Sequence, residues 1–159
     1  MEEKKLAIIA TKGSLDWAYP PFILASTASA LGYETQIFFT FYGLQLLKKK
    51  LALEVTPLGN PGMPMPMGMD KWFPVVGMTL PGMQSMVTSM MKQKMKSKGV
   101  ASIDELRELC IEAEVKLIAC QMTVDLFDMD HNEFIDGVEY AGAAAFFEFA
   151  GESDICLYI

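Results

Sequence analysis

The chain has 159 residues, of which 52% are hydrophobic and 21% charged, a size at which one domain can bury roughly 70% of its unfolded surface. Its formal net charge of −7 is uneven: residues 1 to 98 carry 11 Lys against 6 acids, whereas residues 99 to 159 carry Arg107, Lys116 and 14 acids. The acidic half argues against nucleic-acid binding, the uncharged stretches stop short of a membrane span, and three cysteines, with no secretory signal expected at Met1-Glu2-Glu3-Lys4-Lys5, argue against a disulfide framework.

A cytoplasmic protein is therefore expected, and its excess of apolar residues predicts a homo-oligomer. Residues 5 to 11 form a nearly continuous apolar run ending at Lys12-Gly13-Ser14, as in a strand buried on both faces. A helix follows through Phe22 to Leu31, with Gly32 at its C-cap. Glu34 to Tyr42 reads as a second strand, and Gly43 opens a short helix through Lys50. Strand, helix and strand at this spacing make a βαβ unit with a parallel pair. Leu53 to Pro57 is expected as a short further strand. From Leu58 to Gly82 the chain is dense in Gly, Pro and Met, and periodicity is lost.

Helices are predicted over Met83 to Ser97 and Ser102 to Ala113, where Ser102 and Glu105 form a capping box. Lys92, Lys94, Lys96 and Lys98 read as a solvated helix end. Val115 to Cys120 is a third strand. A short helix from Thr123, a polar turn at Asp130 to Asn132 and a small-residue helix from Val138 to Ala150 lead to a last strand, Asp154 to Tyr158. This alternation describes one α/β domain over residues 1 to 159, with an open, doubly wound parallel sheet of flavodoxin-like type.

In such sheets functional groups gather beyond the carboxyl ends of the strands. Cys120 ends a strand and precedes a helix whose dipole would stabilise a thiolate; a buried core cysteine is the competing reading. Cys110 shares a helical face with Ile103, Leu106 and Ala113, a pattern typical of core. Cys156 alternates with Ile155 and Leu157 and reads as packing.

The segment Phe38-Phe39-Thr40-Phe41-Tyr42-Gly43-Leu44 through Leu46-Leu47-Lys48-Lys49, the cysteines Cys110 and Cys120 ten residues apart, and the small-residue stretch Gly137 to Phe149 resemble the DsrE/DsrF-like sulfur-trafficking proteins. More narrowly, they resemble the soluble branch sometimes labelled peroxiredoxin-like. The resemblance implies sulfur carried on Cys120 as a persulfide or thiosulfonate, with Cys110 matching the second cysteine of some members. It also implies partners that donate and accept sulfur, either proteins or small sulfane-sulfur compounds, and no cofactor. An anionic adduct calls for a cation, for which Lys12 is the candidate; Asp16, Trp17 and Tyr42 are candidate walls.

A rhodanese-type loop is absent because Arg107 is the only arginine, and Leu117 stands where a peroxidatic site needs Thr. Asp128 to Glu139 reproduces the oxygen ligands of an EF-hand loop but places Glu133 where Gly is needed, so a solvated acidic turn is expected and no metal site. Met63, Met65, Met67 and Met69 could offer thioethers to Cu(I), but an adaptable interface within Met63 to Met91 fits them better. The function expected is a sulfur carrier or sulfurtransferase acting through Cys120. The alternative is a non-catalytic binding or regulatory subunit that assembles through its Met-rich face.

Overall fold

The structure is a computed structural model that describes residues 4–58, 77 and 79–159. The core of the expected Met-rich interface, including Met63 to Met69, Trp72, Phe73, Val75 and Val76, lies outside the described residues. Two compact units divide the chain: Met1–Gly13, Trp17–Ala52 and Ser102–Ile159 form the first, and Ser14–Asp16 with Leu53–Ala101 the second.

The first unit is built on β1 (Lys5–Ala10), β2 (Glu34–Phe39), β3 (Lys116–Cys120), β4 (Glu139–Ala141) and β5 (Ile155–Tyr158). All pairings are parallel, in the order β4-β3-β2-β1-β5. This is the open, doubly wound sheet expected from the sequence, although flavodoxin's own order is 2-1-3-4-5. Continuous apolar runs form the central strands because helices cover both faces there. From β1 to β4 each strand is added on the same side, so right-handed crossovers fall on one face; the return to β5 beyond β1 places its helix on the other.

The first face carries α1 (Leu15–Ala30) and α3 (Ile103–Glu112). Phe22 of α1 lies against Phe39 with ring centroids 5.9 Å apart. Helix α1 runs through Pro20 and Pro21, which cannot donate to the carbonyls of Asp16 and Trp17. The capping box at the start of α3 forms as expected: Ser102 accepts from the Glu105 N–H, and Glu105 accepts from the Ser102 N–H at 2.6 Å.

The opposite face is covered by α5 (Ala143–Ala150), whose Phe146 packs with Ala7, Phe38, Ile118 and Cys120. Eight residues of helix span only about 12 Å, less than the length of the strands beneath. At the amino end of the strands Glu34 bridges Lys5 at 3.6 Å and Lys116 at 3.4 Å, and the Lys5 ammonium lies 5.7 Å from the centre of the Phe149 ring of α5.

Two sequence expectations are corrected. Residues 139 to 141 form the short strand β4, so the helix expected from Val138 begins only at Ala143. Leu53 to Pro57 is not a strand. In the second unit, Leu15 N–H donates to the Glu54 carbonyl and Val55 N–H to Thr88 Oγ1 of α2 (Met83–Ser97). These partners are spread over two helices, so no ladder can form. Among the described residues, no helix is long and apolar enough to cross a membrane.

Candidate functional site

Strand β3 delivers Cys120 to the carboxyl edge of the sheet, where it becomes the N-cap of α4 (Gln121–Leu126). The pleat turns its side chain to the α5 face, where it is 5% exposed. The neutral side chain makes no capping hydrogen bond. Burial opposes ionisation of this thiol, but the Thr123 hydroxyl and N–H, the Thr40 hydroxyl and the Met122 N–H outweigh it, and the pKa falls below the ordinary cysteine value. A sulfur ringed by donors favours the thiolate, the nucleophilic form.

Thr40 follows β2 and takes its position from its N–H, which donates to the Ala10 carbonyl at 3.1 Å. Its Oγ1 is 3.1 Å from that of the fully buried Thr123, which also accepts from the Phe41 N–H at 3.4 Å. Two hydroxyls and a backbone amide thus join the ends of β2 and β3 at the sulfur. Phe41 has φ +48°, a strained conformation for a bulky residue. It opens a 3-10 turn, Phe41–Leu47, at the place where the sequence predicts a short helix.

That turn is held from below. A Cβ on Gly43 would collide with the Ala10 carbonyl oxygen, and one on Gly13 with the Tyr42 carbonyl oxygen. Glycine at both positions lets the loop after β1 meet the turn after β2 at backbone distance. Arg107, 6% exposed, donates to the Leu46 carbonyl at 3.1 Å and the Lys48 carbonyl at 2.7 Å while pairing with Asp104 at 2.9 Å. Above the turn, Tyr42 stacks on Phe127 at 6.0 Å and Phe41 meets Phe127 edge-on at 6.2 Å.

Of the residues singled out in the sequence, the structure brings Tyr42 to this edge. Lys12 places its ammonium 3.1 Å from the centre of the Trp17 ring, a cation–π contact that occupies both residues. Asp16 accepts from the Thr56 N–H at 2.9 Å and the Thr56 hydroxyl at 2.7 Å. Cys110 is fully buried and donates to the Phe22 carbonyl at 3.5 Å; burial pushes its thiol up to about 11. Since Phe22 packs on Phe39 while Cys120 packs with Phe38, strand alternation puts the two cysteines on opposite faces of the sheet. Cys156 is exposed and pairs with Ala7 in the strand beyond β1, three strand spacings or about 14 Å from β3.

The acidic turn after α4 is organised by its own side chains. Asp130 caps Asn132, Glu133 pairs with Lys48 at 2.9 Å, and His131 stacks on Tyr140 at 3.9 Å. Among the described residues, no group of three or more His, Cys, Asp or Glu side chains could hold a metal ion. Thr40, Thr123, Phe127 and the anchoring role of Arg107 were not foreseen. Thr123 had one signal: it is the N3 residue of a helix that a strand-end cysteine must cap.

A family model described as the DsrE/DsrF/DrsH-like family matches residues 2–158. The chain is 89% identical over 159 residues to the "Sulfur carrier protein DsrE2" of Allochromatium vinosum, covering 100% of both. It is 34% identical over 164 residues to the "Uncharacterized protein YrkE" of Bacillus subtilis, covering 99% of this chain and 98% of that one. Among solved structures it resembles the ychN protein of E. coli, with a TM-score of 0.55 at 13% identity over 98% of this chain and 99% of the other. That last likeness concerns the fold alone.

Proposed function

The chain belongs to the DsrE/DsrF/DrsH-like family, and from that premise we propose that it is a sulfur carrier whose cargo is bound to Cys120. In loading, the Cys120 thiolate attacks the sulfane sulfur of a donor persulfide. A bond forms from Sγ to that sulfur, the donor's S–S bond breaks, and the donor leaves as a thiolate. In unloading, an acceptor thiolate attacks the outer sulfur and the electron pair of the broken bond returns to Sγ. Neither step changes the overall oxidation level, so neither calls for a cofactor.

The observation that carries this reading is the group of donors that lowers the Cys120 pKa despite burial. The same donors make the protein a nucleophile in loading and stabilise the leaving thiolate in unloading. Cys110, which is buried with a raised pKa, lacks both advantages. Assembly into a homo-oligomer and a cytoplasmic setting belong to the same reading, on the strength of composition; sedimentation giving only a 17.6 kDa species would remove the oligomer.

The test is incubation with a persulfide donor, followed by peptide mapping by mass spectrometry. Sulfur is expected on the Cys120 peptide and is lost in Cys120→Ser. Because Cys156 is exposed, mapping rather than intact mass decides the outcome. Transferable sulfur that persists in Cys120→Ser would sink the assignment.

A further inference from the structure

Five large apolar side chains stand out of the surface at the mouth of the Cys120 site. Tyr42 is 65% exposed, Met122 63%, Leu126 58%, Phe41 45% and Phe127 40%. Phe41, Tyr42 and Phe127 pack on one another, and they do so at the surface. Contiguous apolar surface of this kind marks an interaction site more often than an idle one. Phe41 also pays its left-handed backbone, φ +48°, to present a half-exposed ring while its N–H reaches Thr123 beside the sulfur.

The segment from the start of α4 through the acidic turn carries charge of one sign. Residues 121 to 139 hold Asp125, Asp128, Asp130, Glu133, Asp136 and Glu139 and no Lys or Arg, and all six acids are exposed. Glu133 is neutralised by Lys48. Asp125 accepts from the uncharged Gln121 amide at 2.7 Å, a partner that brings no opposite charge. A field of this sign slows small sulfur oxyanions and acidic thiols and speeds the approach of cations. The aromatic faces inside it suit lysine and arginine as well as aliphatic side chains.

We infer that the aromatic patch of Phe41, Tyr42 and Phe127, with its acidic rim at Asp125 and Asp128, docks a partner protein that carries its reactive thiol on a basic, partly apolar surface. The inference rests on the carrier reading and adds the chemistry of the partner. The patch supplies contact area next to the sulfur, and the rim selects by charge. The partner's thiolate attacks the outer sulfur of the Cys120 persulfide, the S–S bond breaks, and Cys120 is left as a thiolate.

The probe is a pair of synthetic cysteine peptides of equal length, one flanked by Lys, Arg and Leu and the other by Glu and Ser. Each is mixed with sulfur-loaded protein and transfer is followed by mass spectrometry. At low ionic strength the basic peptide is expected to accept sulfur about tenfold faster, with the advantage shrinking as salt rises. Asp125→Asn combined with Asp128→Asn, two surface changes that keep each side chain's shape, should remove most of that advantage. Equal rates for the two peptides in the loaded wild-type protein overturn the docking surface alone; failure to load Cys120 overturns the carrier reading. A preference that survives the double variant also overturns the surface. So does a larger species that Tyr42→Ser with Phe127→Ser converts to 17.6 kDa, because the patch would then belong to a second copy of the chain.

Discussion

The side-chain oxygens of Thr40 and Thr123 stand 3.1 Å apart, one from the end of β2 and the other from the first turn of the helix that Cys120 caps. Both hydroxyls favour the ionised sulfur. Removing one with little change of shape, in Thr123→Val, should therefore raise the Cys120 pKa. A hydrogen bond to a charged group is worth about 1.5–3 kcal/mol, so the expected rise is roughly one to two pH units. The pH profile of Cys120 alkylation measures it, and Thr123→Ser should restore the original midpoint. An unchanged midpoint in Thr123→Val would show that the hydroxyl plays no part.

Cys110 offers a test of opposite sign. Its folded pKa is raised to about 11, so the folded state holds the proton more tightly than the unfolded chain, whose thiol titrates at about 8.5. The resulting stability is complete below about pH 8.5 and declines as pH rises toward the folded value, by up to about 1.4 kcal/mol per pH unit. Urea unfolding at a series of alkaline pH values should show this decline in the natural chain and a shallower one in Cys110→Ala. Sulfur loading of Cys110→Ala should be retained; its loss would bring Cys110 into the chemistry.

Arg107 should behave as a buried clamp. Arg107→Met leaves the Leu46 and Lys48 carbonyls without their donor, and a cost of about 3 kcal/mol is expected. Chemical denaturation reads it directly. A change within about 0.5 kcal/mol, the range of an ordinary surface substitution, would mean that the turn after β2 holds without the guanidinium.

The two kinds of glycine can be separated. Gly43→Ala drives a methyl into the Ala10 carbonyl, a backbone neighbour that cannot swing aside, and should cost about 2 kcal/mol or more. Gly32 has φ +84° and open space around it, so Gly32→Ala should cost only the backbone preference, about 1 kcal/mol. If the two substitutions had equal cost in denaturation, the close approach at Gly43 would be refuted.

The sequence was most legible where one physical cause acted alone. The runs at Leu6 to Ala10, Ile37 to Phe39 and Leu117 to Cys120 are apolar because both faces are covered, and they read as strands without context. Ser102 and Glu105 announced a helix start because their reciprocal bonds are local. Strand β4 escaped notice because three residues beside a run of alanines show no period, and only pairing with β3 makes them a strand. Cys120 was visible from its place at a strand end. The groups that lower its pKa were not, since Thr40 and Thr123 are 83 positions apart and a hydroxyl's partner is set by tertiary structure. Lys12 looked like a free cation for the same reason: its neighbour Trp17, which takes up the ammonium, was itself read as a wall.

The sheet that separates Cys110 from Cys120, with Cys156 three strands away, bears on how long a loaded molecule lasts. A persulfide beside a second thiol in the same chain discharges itself: the neighbour attacks the inner sulfur, a disulfide closes, and hydrogen sulfide escapes. Here neither of the chain's other thiols can make that attack without unfolding. On the carrier reading, a persulfide on Cys120 would therefore be discharged only by another molecule and would not lose its outer sulfur as hydrogen sulfide through the chain's own thiols.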